Sequence, residues 1–196
     1  MTPSEALTLY VERARAAGAE VEVFSARELP ARLDGLLAAT GARAVAVPAT
    51  GWPPGLREVV AASLRRGGCQ EVSPALRGRA YAWDRAALAA ARLGITFCDG
   101  FVADTGSLVV PSGAGLGTLA SLLPWVHLAL SRPEGCHESL EGYLGRAAGA
   151  LPSRLTFVTG PSRTGDIEAT MTQGVHGPGR VLHWILAGPG PLEPAG

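Results

Sequence analysis

Apolar positions recur along this chain with two periods, and those periods predict alternating helices and strands. Leu7, Tyr10, Val11 and Ala14 fall at helical spacing behind Thr2-Pro3-Ser4-Glu5. There Thr2 caps, Pro3 suits the first turn, Glu5 completes a capping box, and Gly18 ends the helix. Glu20 to Phe24 alternates and predicts a short strand. A second helix places Leu29, Leu33, Leu36 and Leu37 on one face and stops at Gly41. Ala44 to Val47 is a continuous apolar run, the kind a strand shows when both its faces are covered. Turn formers fill Pro48 to Pro54. A third helix follows with Leu56, Val59, Val60 and Leu64, ending at Gly67-Gly68, and Gln70 to Ser73 predicts another strand.

The second half reads less evenly. Pro74 to Arg79 predicts a loop, and Asp84 caps a helix running to Leu93 with Gly94 as its stop. Phe101 to Ala103 and Leu108 to Val110 flank the tight turn Asp104-Thr105-Gly106-Ser107, a β-hairpin. The glycine-rich run Ser112 to Gly117 leads into a short helix around Leu119 to Leu123. Trp125 to Leu130 predicts a buried strand and Glu134 to Ala148 a helix. Leu155 to Thr159 and Val181 to Ala187 are the last strands, separated by a long polar loop, and the tail from Gly188 is expected to fray. The pattern implies an α/β fold: an open, mainly parallel sheet with helices on both faces and a β-hairpin element, in one domain over 1–196.

Composition narrows the function classes. The chain has 196 residues, long enough to bury about 70% of its unfolded surface without a disulfide or metal staple. Its 17 basic residues are all Arg and are balanced by 17 acidic ones, so no basic surface for nucleic acid is expected. Leu119 to Leu130, the longest apolar run, contains Pro124 and His127 and falls short of the roughly 20 residues of a membrane span. The N-terminus lacks a basic segment followed by an apolar one, so a cytoplasmic location is expected. Cys69, Cys98 and Cys136 are odd in number and widely spaced, which predicts reduced thiols. They cannot supply the four thiolates of an ordinary iron–sulfur cluster, and no cofactor is expected on this chain.

Three polar segments carry candidate chemistry, and the first two are expected to gather at one rim of the sheet as a niche for an anion. In Pro111-Ser112-Gly113-Ala114-Gly115-Leu116-Gly117-Thr118, the glycines Gly113, Gly115 and Gly117 open backbone N–H groups to an anion. The run narrowly misses the dinucleotide fingerprint, because Thr118 stands where its last glycine belongs, and it lacks the Lys of a P-loop. A tight strand-to-helix turn explains it equally. In Thr159-Gly160-Pro161-Ser162-Arg163-Thr164-Gly165-Asp166-Ile167-Glu168, Ser162 or Thr164 can cap a turn, and Arg163 can grip a carboxylate or phosphate. The plainer alternative pairs Arg163 with Asp166 at the surface. In Gly174-Val175-His176-Gly177-Pro178, His176 is a candidate general base, or a turn histidine bonded to backbone. Glu168 and Asp166 are the other candidate proton carriers. His127 reads as a core histidine, His183 needs no function, and Cys136-His137 on a helix would point too far apart to share a metal.

Taken in order, several runs resemble a known family. They are Gly94-Ile95-Thr96 to Asp99, Ala103 to Ser107, Leu122-Leu123-Pro124 to His127, Thr159 to Glu168, and Gly174 to Pro178. Across about 84–187 the chain is similar to the lactate utilization protein C (LutC) family of LUD-domain proteins. The resemblance implies a fold like the NagB/RpiA/CoA-transferase group. It also implies a part in oxidising L-lactate to pyruvate alongside two other proteins, at least one bearing iron–sulfur clusters. It supplies no catalytic residues, so the roles given to Arg163, Asp166, Glu168 and His176 rest on their chemistry alone.

Removing two electrons from lactate needs an acceptor that this sequence does not visibly bind. The leading reading is therefore a non-redox subunit that binds a small anionic metabolite (lactate, pyruvate or a phosphate compound), an iron–sulfur partner, or both. The alternatives are a stand-alone enzyme acting on a phosphorylated or CoA-linked metabolite, and a regulatory scaffold with a vestigial pocket.

Overall fold

The computed structural model describes residues 1–98, 100–113, 115, 118–146, 152, 154–165, 171–173 and 176–188. Helix α1 (Pro3–Ala16) begins with the expected capping box, in which the Glu5 amide donates to Thr2 Oγ1 and the Thr2 amide to Glu5 Oε2. Strand β1 (Glu20–Ser25), helix α2 (Leu29–Thr40), strand β2 (Ala44–Ala46), helix α3 (Leu56–Arg66) and strand β3 (Gln70–Val72) follow the predicted order.

Next come β4 (Ala75–Arg77), β5 (Ala80–Ala82), α4 (Arg85–Ala90), β6 (Leu93–Phe97), β7 (Gly100–Val102) and β8 (Ser107–Pro111). They are followed by α5 (Thr118–Leu122), β9 (Val126–Ser131), β10 (Cys136–His137) and α6 (Leu140–Arg146). The last elements are β11 (Leu155–Val158), β12 (Arg163–Gly165), β13 (Met171–Gln173) and β14 (Arg180–Ala187).

Six strands form a sheet in the order β1-β14-β9-β6-β2-β3, and every neighbouring pair is parallel. A second sheet, β10-β7-β8-β11, contains the predicted hairpin as β7–β8. The central strands β9 and β14 are buried almost throughout, as expected of strands covered on both faces. One face of the parallel sheet packs Leu182, Trp184, Leu128 and Ile95 against Leu29, Leu33, Leu37, Val60 and Leu64 of α2 and α3. On the other face, Ala129, Val181 and Ile185 meet Tyr10 and Ala14 of α1 and Phe101, Leu108 and Val110 of the second sheet.

The structure corrects several expectations. The loop at Pro74 to Arg79 belongs to a hairpin, β4–β5. The helix from Asp84 ends at Ala90, and Leu93 to Phe97 is a central strand. Gly94 is thus no helix stop: it lies in β6, where any Cβ would overlap the Ala120 carbonyl oxygen of α5. Glu134 to Ala148 is not one helix, since a 3-10 turn (Pro133–Gly135) and β10 precede α6. Cys136 and His137 therefore sit on a strand, where neighbours face opposite ways. The long polar loop contains the hairpin β12–β13. Trp125 lies outside β9 and is 48% exposed. The tail 189–196 lies outside the described residues.

Gly35 sits within α2 with nothing within 4 Å of its would-be Cβ. Gly35→Ala is expected to stabilise the protein by about 0.5–1 kcal/mol, because glycine gives up more backbone freedom than alanine in a helix. A higher urea midpoint with an unchanged slope checks it.

Candidate functional site

Ligands of open parallel sheets bind beyond the carboxyl ends of the strands. Here that rim begins at Val47 after β2, whose amide donates to the carbonyl of Val72, the last residue of β3. The amides of Ala49 and Thr50 both donate to the carbonyl of Gly115, at 2.9 and 3.2 Å, so Gly115 sits directly on the rim. Gly115 has φ +74°, and a Cβ there would lie 2.9 Å from Thr50 Cγ2 and 3.2 Å from Tyr81 Cζ. Both constraints call for glycine.

Beside it, Ala49 to Pro54 with Arg57 and Glu58 line a hollow of about 270 Å³. Arg57 donates to both carboxylate oxygens of Glu71 and to Ser73 Oγ, and Ser73 Oγ donates to the Val47 carbonyl. Partial burial opposes ionisation of Glu71. The hydrogen bonds from Arg57 and Ser73 and the charges of Arg57 and Arg65 outweigh it and hold the carboxyl below its ordinary range.

Gly113 is exposed, and Thr118 opens α5 half-buried with its carbonyl accepting from Ser121 Oγ. Gly117 lies outside the described residues.

The second segment goes elsewhere. β11 pairs antiparallel with β8, Leu155 opposite Pro111 and Val158 opposite Leu108. The glycine-rich run leaves one end of this ladder, where Ser112 N donates to the Arg154 carbonyl. Thr159 leaves the other end, 2.6 Å from Ser107 Oγ. Gly160 packs on the Ala17 carbonyl just before β1, and Ser162 N donates to the Pro178 carbonyl just before β14. Those contacts lie at the amino ends of the parallel strands. The two segments therefore occupy opposite rims, and the expectation that they form one anion niche is corrected. The cause is the antiparallel β8–β11 pair, which sends its two outgoing loops in opposite directions.

At the amino rim the structure joins Ser162 to Gly177 and Pro178, and His176 is exposed beside them. Arg163 Nη2 donates to the Ala17 carbonyl at 3.3 Å, the C-cap residue of α1. A cation there also meets the negative end of the helix dipole. Thr164 lies in β12 opposite Thr172. Asp166 and Glu168 lie outside the described residues. Arg163→Ala is expected to cost about 0.5–1.5 kcal/mol of folding stability and to leave ligand binding at the carboxyl rim unchanged. Urea unfolding beside a ligand titration separates the two.

The sequence placed His127 in the core and gave His183 no function; the polar networks these two rings make there were not foreseen. The Tyr10 hydroxyl lies 2.7 Å from His183 Nδ1, and Ser131 Oγ lies 2.6 Å from His183 Nε2. His127 Nε2 lies 2.8 Å from Thr96 Oγ1, while its Nδ1 has no partner among the described residues. Burial, aided for His183 by the nearby His127, pushes the pKa of His183 down to about 3; burial alone takes His127 to about 4. Ser131 and His183 are fully enclosed, so this chain of groups is architecture rather than a substrate site. The available signal was polar residues alternating with apolar ones inside buried strands. Burial raises the thiols of Cys69 and Cys136, the latter to about 11, so neither is poised as a thiolate. Among the described residues no helix is long and apolar enough to cross a membrane, and no three His, Cys, Asp or Glu side chains converge as a metal site.

Comparison with known proteins agrees with this architecture. A crystal structure of a DUF162 family protein from Deinococcus radiodurans superposes with a TM-score of 0.65. The superposition covers 95% of this chain and 99% of that one at 23% identity, a likeness of fold. Lactate utilization protein C of Halalkalibacterium halodurans is 38% identical over 102 residues, 49% of this chain and 44% of the relative. The protein of the same name from Geobacillus sp. is 34% identical over 108 residues, 49% of this chain and 42% of the relative. The chain thus spans less than half the length of these curated relatives. The sequence profile of the LUD domain matches residues 7–186, nearly the whole chain, and the chain belongs to the LUD domain family.

Proposed function

We propose that this chain serves lactate utilization as a subunit that completes no redox step alone. In this reading it binds a small anionic metabolite at the carboxyl rim of its parallel sheet and works beside iron–sulfur partner proteins. The observation that carries the reading is the likeness to proteins named lactate utilization protein C within a shared family. The placement at the carboxyl rim is supported by Gly115, whose carbonyl accepts from the amides of Ala49 and Thr50. A glycine-rich run anchored at such a point suits an anion, because backbone N–H groups free of side chains can approach it. Lactate oxidation transfers two electrons, and the departure of the glycine-rich run from the dinucleotide fingerprint supports an acceptor carried by a partner.

The test measures lactate-dependent reduction of an artificial electron acceptor. The purified chain alone is expected to give none, and turnover is expected once the iron–sulfur partners are added. Turnover by the chain alone would overturn the reading. Lactate, pyruvate or inorganic phosphate is expected to raise Tm, corresponding to about 2.7 kcal/mol at a hundredfold excess over Kd. Gly115→Ala is expected to abolish that shift, because a side chain there collides with Thr50 and Tyr81.

A further inference from the structure

Next to the glycine-rich turn, between the β5–α4 connection and helix α5, lies a hollow of about 800 Å³. Its size is within the range of about 300–1,000 Å³ typical of sites for organic ligands, and a three-carbon acid would fill only a small part of it. Tyr81 and Trp83 stand on one side, Leu119 and Leu123 on the other, and Leu88, 2% exposed, contributes to the lining. Leu119 and Leu123 are four residues apart along α5 and its C-terminal end, so they share a face. They are 40% and 58% exposed and Tyr81 is 36% exposed, an unusual clustering of large apolar side chains in contact with water.

Charge in this wall is one-sided. Arg85 lines the hollow, and among the described residues its guanidinium has no acidic partner. The neighbouring carboxylate, Asp84, is committed to capping α4, where Oδ1 accepts from the amides of Ala86 and Ala87. An apolar slot with one uncommitted guanidinium suits a molecule with a ring or acyl body and a single negative group. The body removes the leucine and aromatic surfaces from water, and the carboxylate, phosphate or sulfonate pairs with the guanidinium. Tyr81 also abuts Gly115, so the hollow adjoins the carboxyl rim.

We propose that the Tyr81–Trp83–Leu119–Leu123 hollow is a binding site for an amphipathic organic anion, oriented by Arg85. The site stands whether or not the chain takes part in lactate oxidation. It is tested with 8-anilinonaphthalene-1-sulfonate as a fluorescent probe, octanoate as competitor and octanamide as the uncharged counterpart. The expected result is saturable one-to-one binding that octanoate displaces and octanamide displaces far less well. Arg85→Gln is expected to weaken probe binding about tenfold, the scale of one charge-assisted hydrogen bond. It should also remove the preference for octanoate over octanamide. Leu123→Glu, a change at an exposed position that leaves the fold intact, is expected to abolish binding. Phe157→Glu, on β11 and 42% exposed, is expected to leave it unchanged. Absence of saturable binding overturns the proposal. So does binding that survives Leu123→Glu, or displacement by octanamide as effective as by octanoate.

Discussion

Gly94→Ala is expected to cost about 3 kcal/mol or more and to leave little soluble protein. Adding carbon to a filled core usually costs about 1–3 kcal/mol, and the cost is lower when a flexible side chain can yield. No such relief exists here. The Cβ would overlap the carbonyl oxygen of Ala120, its carbon would lie 2.9 Å away, and Pro124 Cγ 3.0 Å. Backbone must move: α5 lifts from β6, and Ala120, fully buried against Ala46, Val72 and Leu88, loses its packing. Since a domain is stable by only about 5–15 kcal/mol, the loss is a large share of the total. Chemical unfolding of Gly94→Ala beside Gly35→Ala makes the comparison, because the substitution is the same and only the space around it differs. An unchanged midpoint for Gly94→Ala would contradict the close contact of α5 with the sheet.

Stability is expected to fall steeply with acid because of two enclosed imidazoles. The folded pKa values of His127 and His183 are about 4 and about 3, below the usual 6.5. Histidines depressed in this way contribute stability above pH 6.5, where both states are neutral. That contribution is lost as the pH falls from 6.5 toward 4 and then 3, because the unfolded chain takes up protons the folded one refuses. Near pH 5 the difference approaches two protons, a slope of about 2.7 kcal/mol per pH unit. Glu71 adds to the loss at lower pH, since its depressed carboxyl is ionised in the folded state after the unfolded one has protonated. Urea unfolding between pH 7.5 and 4 measures the slope, and imidazole NMR signals of the native protein should remain neutral at pH 5. Native-state titration of both rings near 6.5 would refute the assignment.

Much of the fold was legible because burial writes periodicity. Helices α1 to α3 and the strands between them are long enough, or flanked by clear enough caps, for the pattern to stand out, as in Thr2-Pro3-Ser4-Glu5. Strand β6 was hidden because the alanine-rich run before it merges with Leu93 and Gly94 resembles a helix stop. What makes Gly94 necessary is the approach of α5, a contact made across the fold. Strands β4, β5, β12 and β13 have three residues each and, unlike β2 and β3, follow no helix stop that marks where they begin. The glycine-rich turn was visible as a strand-to-helix connection, but its rim was not. That depends on β8 belonging to the second sheet, a pairing with β7 and β11 that no local pattern encodes. Arg163 looked like an anion ligand because its neighbours are polar; its observed partner, the Ala17 carbonyl, lies far upstream in the chain.

The place of β14 between β1 and β9 has a consequence for how the molecule is made. Glu20 is aligned with Leu182, and β14, which joins β1 to the rest of the sheet, leaves the ribosome after every other described strand. Until then β1 and β9 offer unsatisfied edges, and α1 has only part of its binding surface. Closure of such a distant pair is slow by its topology. The nascent chain therefore waits, with two open edges for chaperones or stray strands to capture, until β14 arrives.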